Sequence, residues 1–200
     1  MAPLVRACHC ACVVATALGC CASACSQDLD RTDRVQRAGA PFVGVEVGKP
    51  HYGTSCGNIA GLSCSNNGTS VSVTAGDMFT HNWGAELSYL DLGKADRAGG
   101  TVSARGMNFS IVGRLPVTDA LDVAGKLGTT WGITHVNAGP TSGLENGHSK
   151  GFGVGYGAAL DLHFPRGLVG SIGWERHEFH FIGQGTSPVN NLTLGLAYRF

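Results

Sequence analysis

Charged residues are scarce in this chain. Asp, Glu, Lys and Arg together make up 14% of its 200 residues, whereas a typical soluble domain carries about 25%. The 14 basic and 14 acidic side chains cancel, so there is no excess positive charge to neutralise phosphates. This balance argues against a nucleic-acid-binding protein.

Long apolar runs are also missing. After residue 25 no stretch of about 20 apolar residues occurs, so the sequence predicts no helix that crosses a bilayer in the mature chain. Glycine, by contrast, is abundant, with 31 residues. Because a glycine inside a helix costs about 1 kcal/mol, this composition favours a β protein whose backbones approach closely. Membrane-spanning β-strands remain compatible, since they are short and alternating.

The first 24 residues have the features of a secretory signal peptide. Arg6 supplies a basic start, Ala7 to Gly19 is small and apolar, and Ala22-Ser23-Ala24 fits the cleavage rule. We expect a signal peptide over 1–24, a periplasmic segment over 25–41 and a barrel over 42–200. A short N-terminal core helix is the alternative, and Cys25 at the start of the mature chain is a candidate for lipidation.

Two cysteines, Cys56 and Cys64, flank a short loop rich in glycine and asparagine. In an oxidising compartment such a pair most simply forms a disulfide, and two free thiols are the alternative.

Apolar and polar residues alternate with a period of two along the rest of the chain, the pattern of strands with two different faces. The clearest segments are Gly151–Phe164 and Asn191–Phe200, each long enough to cross a bilayer. Six more segments share the pattern: Phe42–Gly48, Thr69–Phe79, Trp83–Gly93, Val102–Leu115, Leu121–Thr134 and Leu168–Phe181. The sequence therefore predicts an all-β protein, an eight-stranded antiparallel up-and-down transmembrane β-barrel.

The predicted connections alternate in length. Three are short (80–82, 116–120 and 165–167) and four are long (49–68, 94–101, 135–150 and 182–190). Short periplasmic turns and long extracellular loops are typical of barrels in the outer membrane of Gram-negative bacteria. We therefore expect the cell outer membrane as the location, with outer-membrane lipid and lipopolysaccharide as partners.

Charged side chains lie on the polar face of the strands, among small residues. An eight-stranded barrel is just wide enough for side chains to fill, so these charges are predicted to form ion pairs that plug the interior. They are Glu46, Glu86, Arg114, Lys126, Asp161 and Glu175. A conductive gate built from the same charges is the alternative.

From Phe42 to Phe200 the chain resembles the eight-stranded transmembrane domain of outer membrane protein A and its small relatives. The resemblance rests on FVGVEVG (Phe42–Gly48), WGAELSYLDLG (Trp83–Gly93) and LPVTDALDVAGKLG (Leu115–Gly128). It implies that Glu86 and Lys126 take part in an interior charge network. Where the family has a basic residue on the first strand, this chain has Glu46, so the wiring of the network can differ.

The C-terminal stretch TLGLAYRF resembles the β-signal of outer-membrane proteins. Thr193 is its polar position, Gly195 its glycine, and Tyr198 and Phe200 its apolar positions. The resemblance implies the outer-membrane insertion machinery as a partner.

The expected function is that of a monomeric structural or surface-interaction barrel, whose loops could bind a host or phage ligand. A porin-like channel for small solutes is the alternative, followed by a lipid-modifying enzyme. No cofactor, metal site or catalytic residue is expected.

Two patterns on the seventh strand contain the residue types of catalytic or metal sites. Ser171, Glu175 and His177 share one face, but neighbours on a face lie about 6–7 Å apart along a strand, which predicts no hydrogen bond between Glu175 and His177. His177 and His180 fall on opposite faces, and both are expected at an exposed rim rather than at a metal.

Deleting Phe200 should impair membrane insertion far more than Tyr156→Phe, because the deletion removes the terminal element of the β-signal while Tyr156 only faces lipid. Outer-membrane levels of the two variants, measured by fractionation and immunoblotting, check this. Equal levels would contradict it.

Overall fold

The computed structural model of the chain describes residues 40–54, 64–97, 99–139, 146–183 and 185–200. In these ranges eight antiparallel strands form a closed barrel, in which each strand pairs with the next and the last pairs with the first. The strands are β1 (Ala40–Tyr52), β2 (Ser70–Met78), β3 (Trp83–Arg97), β4 (Gly100–Thr118), β5 (Leu121–Asn137), β6 (Gly147–His163), β7 (Leu168–Phe181) and β8 (Gly185–Arg199). The predicted fold class and strand number are confirmed.

Several predicted features lie outside the described residues: the signal peptide over 1–24, most of the segment 25–41, Cys25 and Cys56. Over the ranges that are described, no helix has the length and apolar character needed to span a membrane.

The period-two pattern sorts the side chains between an outer wall and a lumen. On the outer wall Val45, Leu127 and Phe152 are 53%, 64% and 70% exposed, whereas Thr130 in the lumen is fully buried. Most aromatic side chains of the outer wall lie in two belts. One contains Trp83, Phe164, Tyr198 and Phe200, and the other contains Tyr89, Trp131 and Phe152. An apolar band between two aromatic belts is the outer surface of a membrane barrel.

The two ends of the barrel differ. The turn end carries both termini of the barrel and the β2–β3, β4–β5 and β6–β7 turns, and the loop end carries the other connections. Two predicted loops are wrong, because the strands continue through them: β3 reaches Arg97 and β4 begins at Gly100, while β8 begins at Gly185. The β1–β2 and β5–β6 connections remain long. The strands therefore extend past the aromatic belt at the loop end.

A bulge in β3 explains why the sequence pattern did not predict the last residues of this strand. The register with β4 shifts between Asp91 and Lys94, and Gly93 adopts a φ of +65°, which glycine accepts without steric cost. The extra residue changes which positions face the lumen: Leu92 is buried before the bulge and Ala95 and Arg97 after it. The simple alternation therefore ends at Gly93.

A barrel in which every strand is paired with both of its neighbours around a closed ring should resist detergent until it is heated. We expect heated and unheated samples to migrate differently on a detergent gel. Folding of residues 26–200 in water without detergent or lipid would contradict this prediction.

Candidate functional site in the barrel lumen

Lys126 of β5 lies at the centre of the lumen, surrounded by three carboxylates. Its Nζ is 3.0 Å from Oε1 of Glu175, 3.1 Å from Oε1 of Glu86 and 3.7 Å from Oε1 of Glu46. Glu86 is 4% exposed, and the side chains of Glu175, Lys126 and Glu46 are 10%, 13% and 16% exposed. We call these four residues the central ion cluster.

The central ion cluster contains one residue from each of four alternate strands. Glu46 comes from β1, Glu86 from β3, Lys126 from β5 and Glu175 from β7. This follows from barrel geometry, in which inward residues of alternate strands fall in one layer. The single ammonium group thus connects four strands that are not hydrogen-bonded neighbours.

A second ion pair lies nearer the turn end. Nε of Arg114 is 3.6 Å from Oδ2 of Asp161, too long for a hydrogen bond, and the guanidinium carbon lies 5.2 Å from the ring centroid of Phe42. A cavity of about 50 Å³ adjoins both side chains. All six charges that the sequence placed in the lumen are therefore found there, divided between the central cluster and this pair.

His177 is buried in the lumen, so its predicted position at an exposed rim is wrong. Its Nε2 lies 3.3 Å from Oε2 of Glu175, and its Nδ1 lies 2.9 Å from Oγ1 of Thr130. The expectation that Glu175 and His177 could not meet is also wrong, because two long side chains on one face bend toward each other. Thr130 in turn donates a hydrogen bond to Asn108. Ser171 instead lines the cavity near the turn end.

Glycines on β6 provide the space for these side chains. A Cβ on Gly155 would lie 2.8 Å from Nδ1 of His177, and one on Gly157 would lie 3.1 Å from Cγ of Glu175. Both distances are shorter than side chains normally tolerate, so a larger residue at either position would displace the network.

The loop end of the lumen is filled by an apolar cluster. Its members are Tyr52, Leu92, Ala95, Val102, Ala104, Val136, Phe179, Phe181 and Val189. The Tyr52 hydroxyl is 2.9 Å from the carbonyl oxygen of Gly93 and accepts a hydrogen bond from the backbone N–H of Ala104 at 3.2 Å. The Tyr52 hydroxyl, which is the one polar side-chain group of the apolar cluster, therefore has hydrogen-bond partners. The apolar cluster closes the lumen between the central ion cluster and the loop end.

Arg97, which the sequence placed in a loop, joins three segments at the loop end. It donates to Thr54 Oγ1 at 3.0 Å, to the carbonyl oxygen of Tyr52 at 3.0 Å and to Oδ1 of Asn66 at 2.7 Å. It is 2% exposed. These bonds fix the described part of the β1–β2 loop against β1 and β3. No sequence signal identified this role, because the β3 bulge precedes it.

The remaining predicted site residues lie in the β1–β2 loop and in β8. Cys64 is disulfide-bonded, and Cys56 lies outside the described residues. Thr193 points into the lumen and donates to the carbonyl oxygen of Gly173 at 3.4 Å. Tyr198 and Phe200 face outward with their rings 5.1 Å apart. A Cβ on Gly195 would lie 2.9 Å from Cγ of Glu46, so this glycine also makes room for the ion cluster.

In the part of the chain that the structure describes, no three His, Cys, Asp or Glu side chains are grouped so that they could hold an ion.

Comparison with known proteins gives one family and several similar structures. Residues 12–200 match the family described as outer membrane protein beta-barrel domain. Neisserial surface protein A is 12% identical with a TM-score of 0.64, over 80% of this chain and 97% of that one. The N-terminal β-barrel domain of OprF from Pseudomonas aeruginosa is 13% identical with a TM-score of 0.50, over 80% and 99%.

A third similar structure contains a ligand. The attachment invasion locus protein Ail of Yersinia pestis, in complex with the heparin analogue sucrose octasulfate, is 14% identical with a TM-score of 0.52, over 81% of this chain and 99% of that one. No curated protein matches the chain.

Lys126→Met should destabilise the barrel by about 3–5 kcal/mol, because it leaves three buried carboxylates without their cation. Combining it with Glu86→Gln should recover part of the loss, because one uncompensated charge disappears. Urea unfolding in lipid vesicles measures both effects. Lys94→Met, which removes an exposed lysine, is the matched control and should stay within about 0.5 kcal/mol of the parent chain.

Proposed function

Because the chain belongs to the outer membrane protein beta-barrel domain family, we propose that it is a closed barrel that presents a structured surface outside the cell. It is an outer-membrane protein. The observation that carries the proposal is the filled lumen: ions occupy its middle and the apolar cluster its loop end. Such a barrel stabilises the envelope and interacts through its surface.

The loop end is the surface we propose for recognition. Short turns of outer-membrane barrels face the periplasm, which puts the loop end outside. Arg97 holds part of the β1–β2 loop in place, and a disulfide at Cys64, for which Cys56 is the predicted partner, would restrain it further. A preorganised loop loses less entropy on binding.

A host or phage molecule is the partner we propose for this surface. The similar structures include a neisserial surface protein and an attachment protein bound to a heparin analogue. Their low identity makes them support for a surface role rather than for a particular ligand. For biogenesis we propose a signal peptide over 1–24 and recognition of the C-terminal β-signal by the insertion machinery. The folded chain is proposed to be a monomer.

A catalytic role finds little support in the lumen. Glu175, His177 and Thr130 form a carboxylate–imidazole–hydroxyl series, the order of groups used to activate a nucleophile. However, Thr130 has no exposed surface and already donates to Asn108. A substrate cannot reach it without displacing the packed lumen, so we propose that the series is structural.

A channel is the second candidate, and conductance separates it from the closed barrel. The purified chain in planar bilayers should show rare, small openings or none, because both the ion cluster and the apolar cluster block the lumen. A steady conductance of porin size that Lys126→Met or Glu86→Gln alters would favour the channel instead.

Surface presentation is tested by labelling intact cells. Asn137→Cys at the loop end should react with a membrane-impermeant maleimide, whereas Asp119→Cys at the turn end should react only after the outer membrane is permeabilised. The parent chain measures the background from its own cysteines. Labelling of Asp119→Cys on intact cells would reverse the proposed orientation.

A further inference from the structure

Two histidines lie opposite each other on the outer face of the barrel, near its loop end. His135 of β5 is the register partner of His148 of β6, and both side chains are exposed. The centroids of the two imidazole rings are 6.1 Å apart, and the angle between the ring planes is 38°. We call these two residues the histidine pair.

Strand pairing fixes the positions of both histidines. The register between β5 and β6 continues without a shift through the histidine pair to Val136 opposite Gly147. Thr134 and Val136, the neighbours of His135 in sequence, are 1% and 3% exposed and point into the lumen, so the imidazole between them points outward. Directly opposite residues of an antiparallel pair have Cβ atoms about 4.5–5.5 Å apart. The two imidazoles therefore extend from adjacent points of a regular sheet.

The histidine pair lies beyond the apolar band of the outer wall. Trp131 and Phe152, which are also register partners, belong to the aromatic belt nearest the loop end. Each histidine is four residues farther along its strand, which is about 13 Å at 3.3 Å per residue. With strands tilted by about 35–45° this is roughly 10 Å along the barrel axis. Ions in the surrounding water therefore reach the imidazoles without entering lipid.

The imidazoles of the histidine pair contact no other polar group among the described residues. Neither His135 nor His148 makes a hydrogen bond or an ion pair there. Other histidines of the chain do have such partners: His51, His163 and His177 each contact a neighbouring polar side chain. Within the described ranges, the ring nitrogens of the histidine pair are therefore available to bind a ligand.

The spacing of the two rings suits one shared metal ion. An imidazole nitrogen binds Zn²⁺ at about 2.0–2.1 Å, which puts the centre of each ring about 3 Å from the ion. Two rings on one ion therefore have centres roughly 5–6.5 Å apart, depending on the angle at the metal. The 6.1 Å separation of the histidine pair falls within this range. Because both side chains are exposed, their rings can turn so that one nitrogen of each points at the ion.

The type of ligand and the nearby charges decide which ions fit. Imidazole nitrogen suits Zn²⁺, Cu²⁺ and Ni²⁺, whereas Ca²⁺ and Mg²⁺ prefer oxygen ligands. Lys150, the next outward residue of β6 after His148, is exposed and lies about 6–7 Å away along the strand. Arg105 of β4 is paired with Asp91 at 3.0 Å. The charge of Lys150 opposes a bound cation, but water and salt screen it, so the site is expected to have moderate affinity.

We propose that the histidine pair binds a divalent transition-metal ion of the zinc, copper and nickel class from the surrounding medium. His135 and His148 each supply one ring nitrogen, and water completes the coordination. A site with two protein ligands is compatible with the finding that no three such side chains are grouped in the described ranges. The proposal does not depend on whether the lumen is closed or on which molecule the β1–β2 loop binds, because the histidine pair lies on β5 and β6.

The experiment titrates Zn²⁺ into the purified, untagged chain in detergent and measures binding by calorimetry. His135→Ala and His148→Ala should each weaken binding at least about tenfold, because the second imidazole binds within the same molecule and its loss removes the chelate. Lys150→Gln should strengthen binding about two- to threefold, because it removes a positive charge near the ion. Ca²⁺ at the same concentration should not compete.

Matched controls remove exposed histidines outside the pair. His51→Ala at the loop end and His81→Ala at the turn end should leave Zn²⁺ binding within about twofold of the parent chain, and the heat-dependent gel shift confirms that each variant is folded. Equal binding by the parent chain, His135→Ala and His148→Ala would overturn the proposal. So would a loss in either control variant as large as that in His135→Ala, because the ion would then bind elsewhere.

Electron paramagnetic resonance of the Cu²⁺-loaded chain identifies the ligands independently of affinity. The parent chain should show coupling to two imidazole nitrogens, and His135→Ala and His148→Ala should each show coupling to one at most. A spectrum that neither substitution changes would count against the histidine pair as the site.

Discussion

The width of the lumen is the constraint on which this structure depends. Eight strands enclose a space that side chains just fill, so a large residue on one strand requires a small one on the strand beside it. Glu175 and His177 on β7 lie against Gly157 and Gly155 on β6, and Glu46 lies against Gly195. The abundance of glycine and the scarcity of charge follow from the same requirement.

The same constraint explains how ions and apolar groups share the lumen. Charges taken out of water are costly unless they are paired, and Lys126 pairs with carboxylates from three other strands. Because those strands are not neighbours, the cluster forms only when the ring is closed and every strand is in register. Its contribution is therefore to specify one arrangement of the barrel rather than to add net stability. The apolar cluster at the loop end needs no such matching and supplies ordinary packing.

The fold could be predicted from the sequence because the membrane imposes a simple rule. Outward positions must be apolar, so residues such as Leu194, Leu196 and Tyr198 alternate without interruption. The lumen charges were predicted by the same rule, since they occupy the opposite face. The resemblance implied that Glu86 and Lys126 belong to one network, but the full set of partners could not be predicted, because contacts across the lumen depend on strand tilt and side-chain reach. The contact between Glu175 and His177 on β7 was missed for a different reason: the spacing of residues along a strand does not include the reach of two long side chains.

Features beyond the membrane were also missed. The rule that makes outward residues apolar no longer applies there, and the bulge at Gly93 changes the face of every later residue in β3. Arg97 was therefore assigned to a loop. Side chains on Gly151, Gly153 and Gly155 of β6 would collide with residues of β7, so these glycines allow β7 to lie close to the inner face of β6. Glycine in a strand has several explanations, and the sequence alone does not show that this one applies.

The pairing of β1 with β8 affects the order in which the chain can fold. Phe42 lies opposite Arg199 and Tyr52 opposite Val189, so these contacts join the two ends of the barrel sequence. These contacts join residues that are far apart in sequence. The chain must lose loop-closure entropy to bring its two ends together before the contacts can form. Hairpins between neighbouring strands can form early. The backbone hydrogen-bonding groups on the free edge of β1, however, have no partner until β8 has been synthesised. A newly synthesised chain must therefore reach the membrane with its final topology still incomplete.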